Sequence, residues 1–263
     1  MKAAREKHLD WDDVQEDGLP ACSFCSSLRR YRPMVPRDHD DFGKLLSCPV
    51  CGTLAVRKRL QTLYRDKQDR IEEYSLLCGE AAEQAFDTFD LRKDEGDDTI
   101  PVRIAYAKAK AFAEDPHDFL VLHGSRGTGK SHLAAAIANK VNDSDEELPP
   151  LVLFFVVPEF LEMLRTGYDE GDYRELLDLS KSVDLLILDD LGAESETSWA
   201  HEKLFQVVNR RYINHLPTVV ATNCRLSELP PRIYSRLADD RNTVVSVTAP
   251  DYRQRERNPG EVI

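Results

Sequence analysis

The chain has 263 residues, of which 41% are hydrophobic and 31% are charged, a composition that excludes a disordered or fibrous protein. No segment approaches the roughly 20 uncharged apolar residues of a membrane-spanning helix, and the charged N-terminus lacks the apolar core of a secretory signal. We therefore predict a cytoplasmic protein without membrane contact. The formal net charge of −12 arises entirely in residues 81–263, which argues against a protein that coats duplex DNA through a basic surface.

Two pairs of cysteines near the N-terminus have the spacing of a metal site. Cys22 and Cys25 form one pair, Cys48 and Cys51 form the other, and two residues separate the members of each pair. This spacing lets two thiolates reach one ion from a single turn, and four thiolates complete a closed tetrahedral site. We predict a zinc-binding module over residues 1–55 in which the ion is structural, although the spacing does not distinguish zinc from iron.

The next segment has a helical pattern. Apolar residues recur at helical spacing from Leu60 to Leu77, which predicts an amphipathic linker helix over residues 56–80. Its basic side chains could contact nucleic acid, but an ordinary solvated face is the favoured interpretation. An amphipathic helix beside a zinc module could equally bind a partner protein. Cys78 and Cys224 have no partner at ligand spacing, and we expect both to be buried.

A glycine-rich loop follows the apolar run at residues 119–123 and fits the pattern G-x-x-x-x-G-K-[ST] in full. Its glycines turn backbone N–H groups inward to cradle phosphates, Lys130 reaches the β- and γ-phosphates, and the Ser131 hydroxyl binds Mg²⁺. A strong helix-forming sequence comes next, so the loop is predicted to connect a strand to a helix at an ATP site. The predicted phosphate-binding residues are Gly124, Ser125, Arg126, Gly127, Thr128, Gly129, Lys130 and Ser131.

A second apolar run, at residues 185–188, ends in two carboxylates. We predict that Asp189 holds the magnesium ion and that Asp190 acts as general base toward the attacking water. Further strands are predicted at residues 152–157, 218–221 and 244–247. Strands alternating with helices predict an α/β fold for residues 81–263, a three-layer parallel sheet of the RecA-like or AAA+ type.

Several motifs in this region resemble the DnaC/DnaI/IstB group of AAA+ ATPases, and the resemblance runs from about Phe86 to Arg255. The matching segments are Ser131-His-Leu-Ala-Ala-Ala-Ile-Ala-Asn139, Val183-Asp-Leu-Leu-Ile-Leu-Asp-Asp-Leu-Gly192, Asn209-Arg-Arg-Tyr212, Ala221-Thr-Asn223, Arg232-Ile-Tyr-Ser-Arg-Leu237 and Asp251-Tyr-Arg253. An ordered set of this kind is more specific than the glycine-rich loop alone. It implies a bacterial helicase loader or the helper ATPase of an insertion element.

The resemblance also implies roles for individual residues. Asn223 matches the sensor that orients the attacking water, and Arg236 matches the arginine finger that acts on a neighbouring subunit's nucleotide, with Arg232 as the second candidate. The chain departs from the commonest AAA+ pattern by carrying two aspartates, rather than Asp-Glu, after the strand. Few residues follow the last predicted strand, so we expect no large helical lid and do not assign Arg253 as a second sensor.

The function implied by the resemblance is ATP-dependent loading of the replicative helicase, with ATP hydrolysed between the subunits of a homo-oligomer that assembles on ATP binding. Weak contact with single-stranded DNA is expected near residues 158–182, where Arg165 and Tyr168 are the candidates, whereas Trp199 is expected to pack. The alternative is an IstB-like transposition helper that binds DNA and recruits a transposase. Binding duplex DNA would favour a more basic surface than a chain with a net charge of −12 provides. A third possibility is a binding module whose ATPase is vestigial. The complete set of phosphate-loop, carboxylate and sensor residues argues against it.

Overall fold

A computed structural model describes residues 30–31, 46–47, 62, 64–92, 96–144, 149–170, 173–194 and 197–254. The chain divides into two compact units, residues 1–67 and residues 68–263. In the first unit, strands β1 (Arg30–Tyr31) and β2 (Leu46–Ser47) pair in antiparallel fashion. Cys22, Cys25, Cys48 and Cys51 lie outside the described residues, so the zinc module stays a prediction.

The second unit is built on a five-stranded parallel sheet. Its strands are β3 (Phe119–His123), β4 (Val152–Val156), β5 (Leu185–Asp189), β6 (Thr218–Thr222) and β7 (Thr243–Ser246). They lie in the order β4-β5-β6-β3-β7. The three central strands are almost wholly buried, as expected for a parallel sheet that helices cover on both faces.

Helices complete the three layers, and the predicted AAA+ type α/β fold is confirmed. One face of the sheet packs against α3 (Ile100–Glu114) and α4 (Lys130–Asn142), whose alanine-rich inner faces allow a close approach. The remaining long helices are α5 (Val157–Glu170), α6 (Tyr173–Ser182) and α7 (Ser198–Ile213), followed by the short α8 (Pro231–Leu237). No helix in the described part of the chain is long and apolar enough to cross a membrane.

The segment predicted as a linker helix is partly built into the second unit. Helix α1 covers residues 64–74 and ends before Ser75, and the backbone N–H of Leu76 then donates to the carbonyl oxygen of Phe154 at 2.8 Å. Ile71 and Tyr74 are buried. The described part of the helix therefore ends before the predicted residue 80, and Ile71 and Tyr74 are not available to a partner.

Residues beyond this segment continue the same covering layer. A short helix, α2 (Glu80–Glu83), follows Gly79, and Asn139 of α4 donates from its side-chain amide to the carbonyl oxygens of Ala81 and Gln84 at 2.9 and 2.7 Å. Cys78, in the segment between α1 and α2, is exposed, which corrects the expectation that it is buried. Cys224 is half-buried.

Candidate nucleotide-binding site

Three neighbouring strands bring the predicted site residues to one edge of the sheet. Strand β6 lies between β3 and β5, with Leu122 opposite Ala221 and Leu188 opposite Val220. The glycine-rich loop, the two aspartates and Asn223 each follow the carboxyl end of one of these strands. In open parallel sheets, ligands bind in the crevice outside these carboxyl ends.

The glycine-rich loop connects β3 to α4, as predicted. Gly129 has φ of +91° and lies directly before the helix, and a Cβ atom at this position would come within 2.7 Å of the Phe89 ring. Only glycine combines this left-handed backbone with this close approach. The loop therefore directs the first N–H groups of α4 into the crevice, where the positive end of the helix dipole favours an anion.

Lys130 supplies a largely buried positive charge inside the loop. Its Nζ donates to the carbonyl oxygen of Ser125 at 2.6 Å and lies 3.4 Å from the Thr128 hydroxyl. Burial lowers the pKa of Lys130, and the nearby carboxylates of Asp189 and Asp190 partly oppose that shift. A desolvated ammonium among inward-facing N–H groups is suited to bind the terminal phosphates of a nucleotide.

Ser131 and Asp189 form the polar contact from which a magnesium site could be built. The Ser131 hydroxyl donates to Asp189 Oδ1 at 3.1 Å, which joins the start of α4 to the end of β5. Burial raises the pKa of Asp189 to about 6, and the Ser131 hydrogen bond opposes part of that rise. A hydroxyl and a carboxylate oxygen fit Mg²⁺, which commonly takes one or two protein ligands together with substrate phosphates and water.

Asp190 and Asn223 form a second linked pair. Asp190 has φ of +55°, an uncommon value for a non-glycine residue, and its Oδ1 accepts a hydrogen bond of 2.8 Å from the Asn223 amide. The backbone N–H of Leu191 donates to the Ala221 carbonyl at 3.0 Å, so a backbone hydrogen bond beside this pair also joins the tips of β5 and β6. Asp190 is half-buried, whereas Asp189 is buried. Asn223 therefore holds Asp190, the more exposed of the two carboxylates.

The two candidate arginines lie apart from this group. Arg232 and Arg236 are on α8, and their described side-chain contacts are with α7. The Arg232 guanidinium lies 3.6 Å from the centre of the Phe205 ring, while Arg236 donates from Nε to Asn209. Among the described residues of one chain, neither arginine contacts Lys130 or Asp189, as expected for an arginine that acts on another subunit's nucleotide.

The C-terminal segment contacts the glycine-rich loop, which the sequence reasoning missed. The N–H of Tyr252 donates to the Gly127 carbonyl at 2.9 Å, and a Cβ atom on Gly127 would overlap the Asp251 carboxylate. The positive charge of Arg253 contributes to the lowered pKa of Lys130. The sequence identified Asp251-Tyr-Arg253 only by its resemblance to a family signature. The structure shows that Asp251 and Tyr252 contact the loop and that Arg253 lies close enough to affect Lys130.

Replacing Asp189 by asparagine is expected to stabilise the protein in the absence of nucleotide. Because the pKa rises from 3.8 to about 6 on folding, the ionised carboxylate destabilises the native state, and stability is lost as the pH rises through that range. The amide oxygen introduced by the substitution would still accept the Ser131 hydrogen bond. We expect Asp189→Asn to raise the free energy of unfolding by about 1–3 kcal/mol at pH 7.5.

Urea unfolding of the metal-free protein at pH 7.5 and at pH 4 measures this effect. The gain should shrink at the lower pH, where Asp189 is largely protonated. Asp178→Asn, which changes an exposed carboxylate on α6, is the control and should stay within about 0.5 kcal/mol of the wild type. A loss of stability in Asp189→Asn at pH 7.5 would contradict the assignment of a destabilising buried charge.

Three features define a P-loop ATP-binding domain of the AAA+ type: the glycine-rich loop after β3, the two aspartates after β5, and Asn223 after β6. Strand β6 lies between the other two. The family model of the IstB-like ATP-binding proteins matches residues 59–254, and the chain belongs to this family. The predicted resemblance to the DnaC/DnaI/IstB group is thereby confirmed.

Individual relatives include two helicase loaders. The chain is 35% identical to the replicative helicase loader DnaI of Bacillus subtilis (strain 168) over 223 residues, covering 79% of this chain and 66% of that protein. It is 29% identical to the replicative helicase loader DnaC of Escherichia coli (strain K12) over 140 residues, covering 51% of this chain and 56% of that protein. A crystal structure of the DnaC helicase loader matches with a TM-score of 0.56 at 21% identity, covering 65% of this chain and all of the other.

Proposed function

We propose that this protein is a magnesium-dependent ATPase that loads a replicative helicase, hydrolysing ATP between neighbouring subunits. The observation that carries the proposal is the similarity to the loader DnaI, at 35% identity over 79% of this chain. The matched 79% of the 263 residues is longer than the second unit, residues 68–263, so the similarity also includes part of residues 1–67. A zinc-bound module there would contact the helicase, with the ion held by Cys22, Cys25, Cys48 and Cys51.

The geometry of the crevice supports the following catalytic roles. Lys130 and the loop N–H groups would bind the phosphates of ATP, and Ser131 with Asp189 would hold Mg²⁺, which neutralises phosphate charge when bound. Asp190 would accept the proton of the attacking water. Because Asn223 donates to Asp190 Oδ1, it fixes the carboxylate so that its second oxygen can face the water.

Asp190→Asn is the first test of these roles. The variant keeps the shape of the side chain but removes the base, so we expect kcat to fall about 100-fold while the affinity for ATP stays within about threefold. Steady-state phosphate release and binding of a fluorescent ATP analogue measure the two quantities. Lys130→Ala is the reference variant and should lose ATP binding itself. Unchanged turnover in Asp190→Asn would show that another group is the base.

A surface on α5, α6 and α7 is the best candidate for contact with single-stranded DNA. Arg165 lies over the Trp199 ring at 5.1 Å, and Lys203 lies over the Tyr173 ring at 5.3 Å. Trp199 is half-buried, which agrees only in part with the expectation that it packs. Paired aromatic and basic side chains suit stacking with bases and contact with phosphates. The side chain of Tyr168, the other candidate, lies outside the described residues.

The transposition helper remains the second candidate because the matching family is described by its IstB members. One experiment separates the two functions: size exclusion with light scattering on the full chain mixed with the replicative helicase of its own source, with and without ATP. A stable, ATP-sensitive complex that is lost in a Cys22→Ser, Cys25→Ser double variant supports the loader. Absence of that complex, together with ATP-dependent assembly on duplex DNA, supports the transposition helper.

A further inference from the structure

Arg236 is held in one orientation by side chains of α7. Its Nε donates to Asn209 Oδ1 at 3.1 Å, and its guanidinium carbon lies 5.3 Å from the Phe205 ring centre and 5.8 Å from that of Tyr212. The side chain is half-buried between these groups. An arginine with four rotatable bonds is thereby restricted before any other molecule approaches it.

The contact with Asn209 uses only the Nε edge of the guanidinium. Among the residues that the structure describes, neither Nη group of Arg236 makes a hydrogen bond or ion pair. These two groups form the fork that binds phosphate oxygens in pairs. Asn209 therefore restrains Arg236 without occupying the part of the side chain that would contact a phosphate.

Arg232 is restrained in a different way. Its guanidinium stacks on Phe205 at 3.6 Å, and within the described residues it makes no hydrogen bond to α7. Stacking fixes the plane of a guanidinium but leaves it free to rotate and slide within that plane. A directional hydrogen bond to Nε, by contrast, also fixes the direction in which the Nη groups point. The two arginines of α8 are thus not equivalent.

We propose that Asn209 is a positioning residue that aims the Nη groups of Arg236 at the nucleotide of a neighbouring subunit. This inference rests on the proposed function, in which Arg236 acts between subunits. Fixing the side chain in advance reduces the entropy lost when subunits meet, and small errors in the placement of such a group have large effects on rate. Asn209 itself touches no reacting atom.

The test compares three variants of the full chain at saturating ATP. In Asn209→Leu, which has a similar volume but no acceptor, we expect kcat to fall about 10- to 100-fold while the ATP affinity of the isolated subunit stays unchanged. Asn209→Asp retains an acceptor at the same position and should keep kcat within about threefold of the wild type. Gln206→Leu is the matched control, since it removes a different side-chain hydrogen bond from the same helix.

A mixing experiment provides a readout that a purely structural role would not move. Asn209→Leu subunits mixed with Asp190→Asn subunits should regain part of the turnover, because the second kind supplies a correctly aimed Arg236. The inference is overturned if Asn209→Leu keeps full turnover, if Asn209→Asp falls as far as Asn209→Leu, or if Gln206→Leu falls equally. If Arg236→Ala itself keeps full turnover, the proposed role of Arg236 fails instead, so the two failures are distinguishable.

Discussion

Arg236→Ala is expected to lower kcat about 1,000-fold, because an arginine placed against the transferred phosphate neutralises charge that develops in the transition state. The affinity of the isolated subunit for ATP should stay within about threefold of the wild type, since Arg236 contacts α7 and not the glycine-rich loop of its own chain. Steady-state turnover and binding of a fluorescent ATP analogue measure the two effects.

Mixed subunits decide whether Arg236 acts between chains. When Arg236→Ala subunits are combined with Asp190→Asn subunits, some junctions contain an intact base from one chain and an intact arginine from the next. Partial recovery of turnover is therefore expected. Arg210→Ala, which changes an exposed arginine on α7, is the control and should have little effect. A mixture no more active than its components would count against action between subunits.

Arg211→Leu is expected to lower the free energy of unfolding by about 3–5 kcal/mol, because it leaves several buried carbonyl groups without donors. Arg211 is completely buried on α7. Its Nη1 donates to the carbonyls of Ser180 and Val183 at 3.2 and 2.9 Å, and its Nη2 donates to that of Pro217 at 2.6 Å. The side chain thus ties the end of α6 to the residues that lead into β6.

Burial lowers the pKa of Arg211 to about 9, and the negative charge of Asp184 opposes that shift. The guanidinium therefore remains charged at neutral pH, where its donors are needed by the carbonyl groups. Urea unfolding at pH 7.5 measures the loss, and Arg210→Leu on the exposed side of α7 should change stability by less than about 0.5 kcal/mol. Equal, small effects of both substitutions would show that the Arg211 hydrogen bonds contribute little to stability.

The residues of the nucleotide crevice were predictable because each belongs to a short contiguous pattern. The glycine-rich loop needs its residues in an unbroken order, and an apolar run that ends in a carboxylate marks the tip of a buried strand. Asn223 required the resemblance as well, since one asparagine after a strand is not distinctive. The close contact between Asn223 and Asp190 was not foreseen, because it depends on β6 lying beside β5.

Arg211 shows what such patterns do not reveal. It lies on the same helical stripe as Leu204 and Val207, both of which are buried, so a charged residue in that position was a signal of burial. The identity of its partners could not be read from the sequence, because Pro217 and Thr218 lie beyond the end of α7 and the other two, Val183 and Ser180, lie 28 and 31 residues away. The same holds for Ile71 and Tyr74, whose apolar spacing predicted a helix but not its packing within the ATPase unit.

By itself, the sequence determined the phosphate loop, the carboxylate-tipped strand and membership of the IstB-like family, because these depend on local backbone conformation and contiguous residue types. The tertiary structure decided which strand tips became neighbours, that the segment around Asp251 contacts Gly127, and that Arg236 is held by Asn209. These contacts join residues far apart in the chain. They form because strand order and helix packing bury apolar surface as a whole, and no short segment specifies that arrangement.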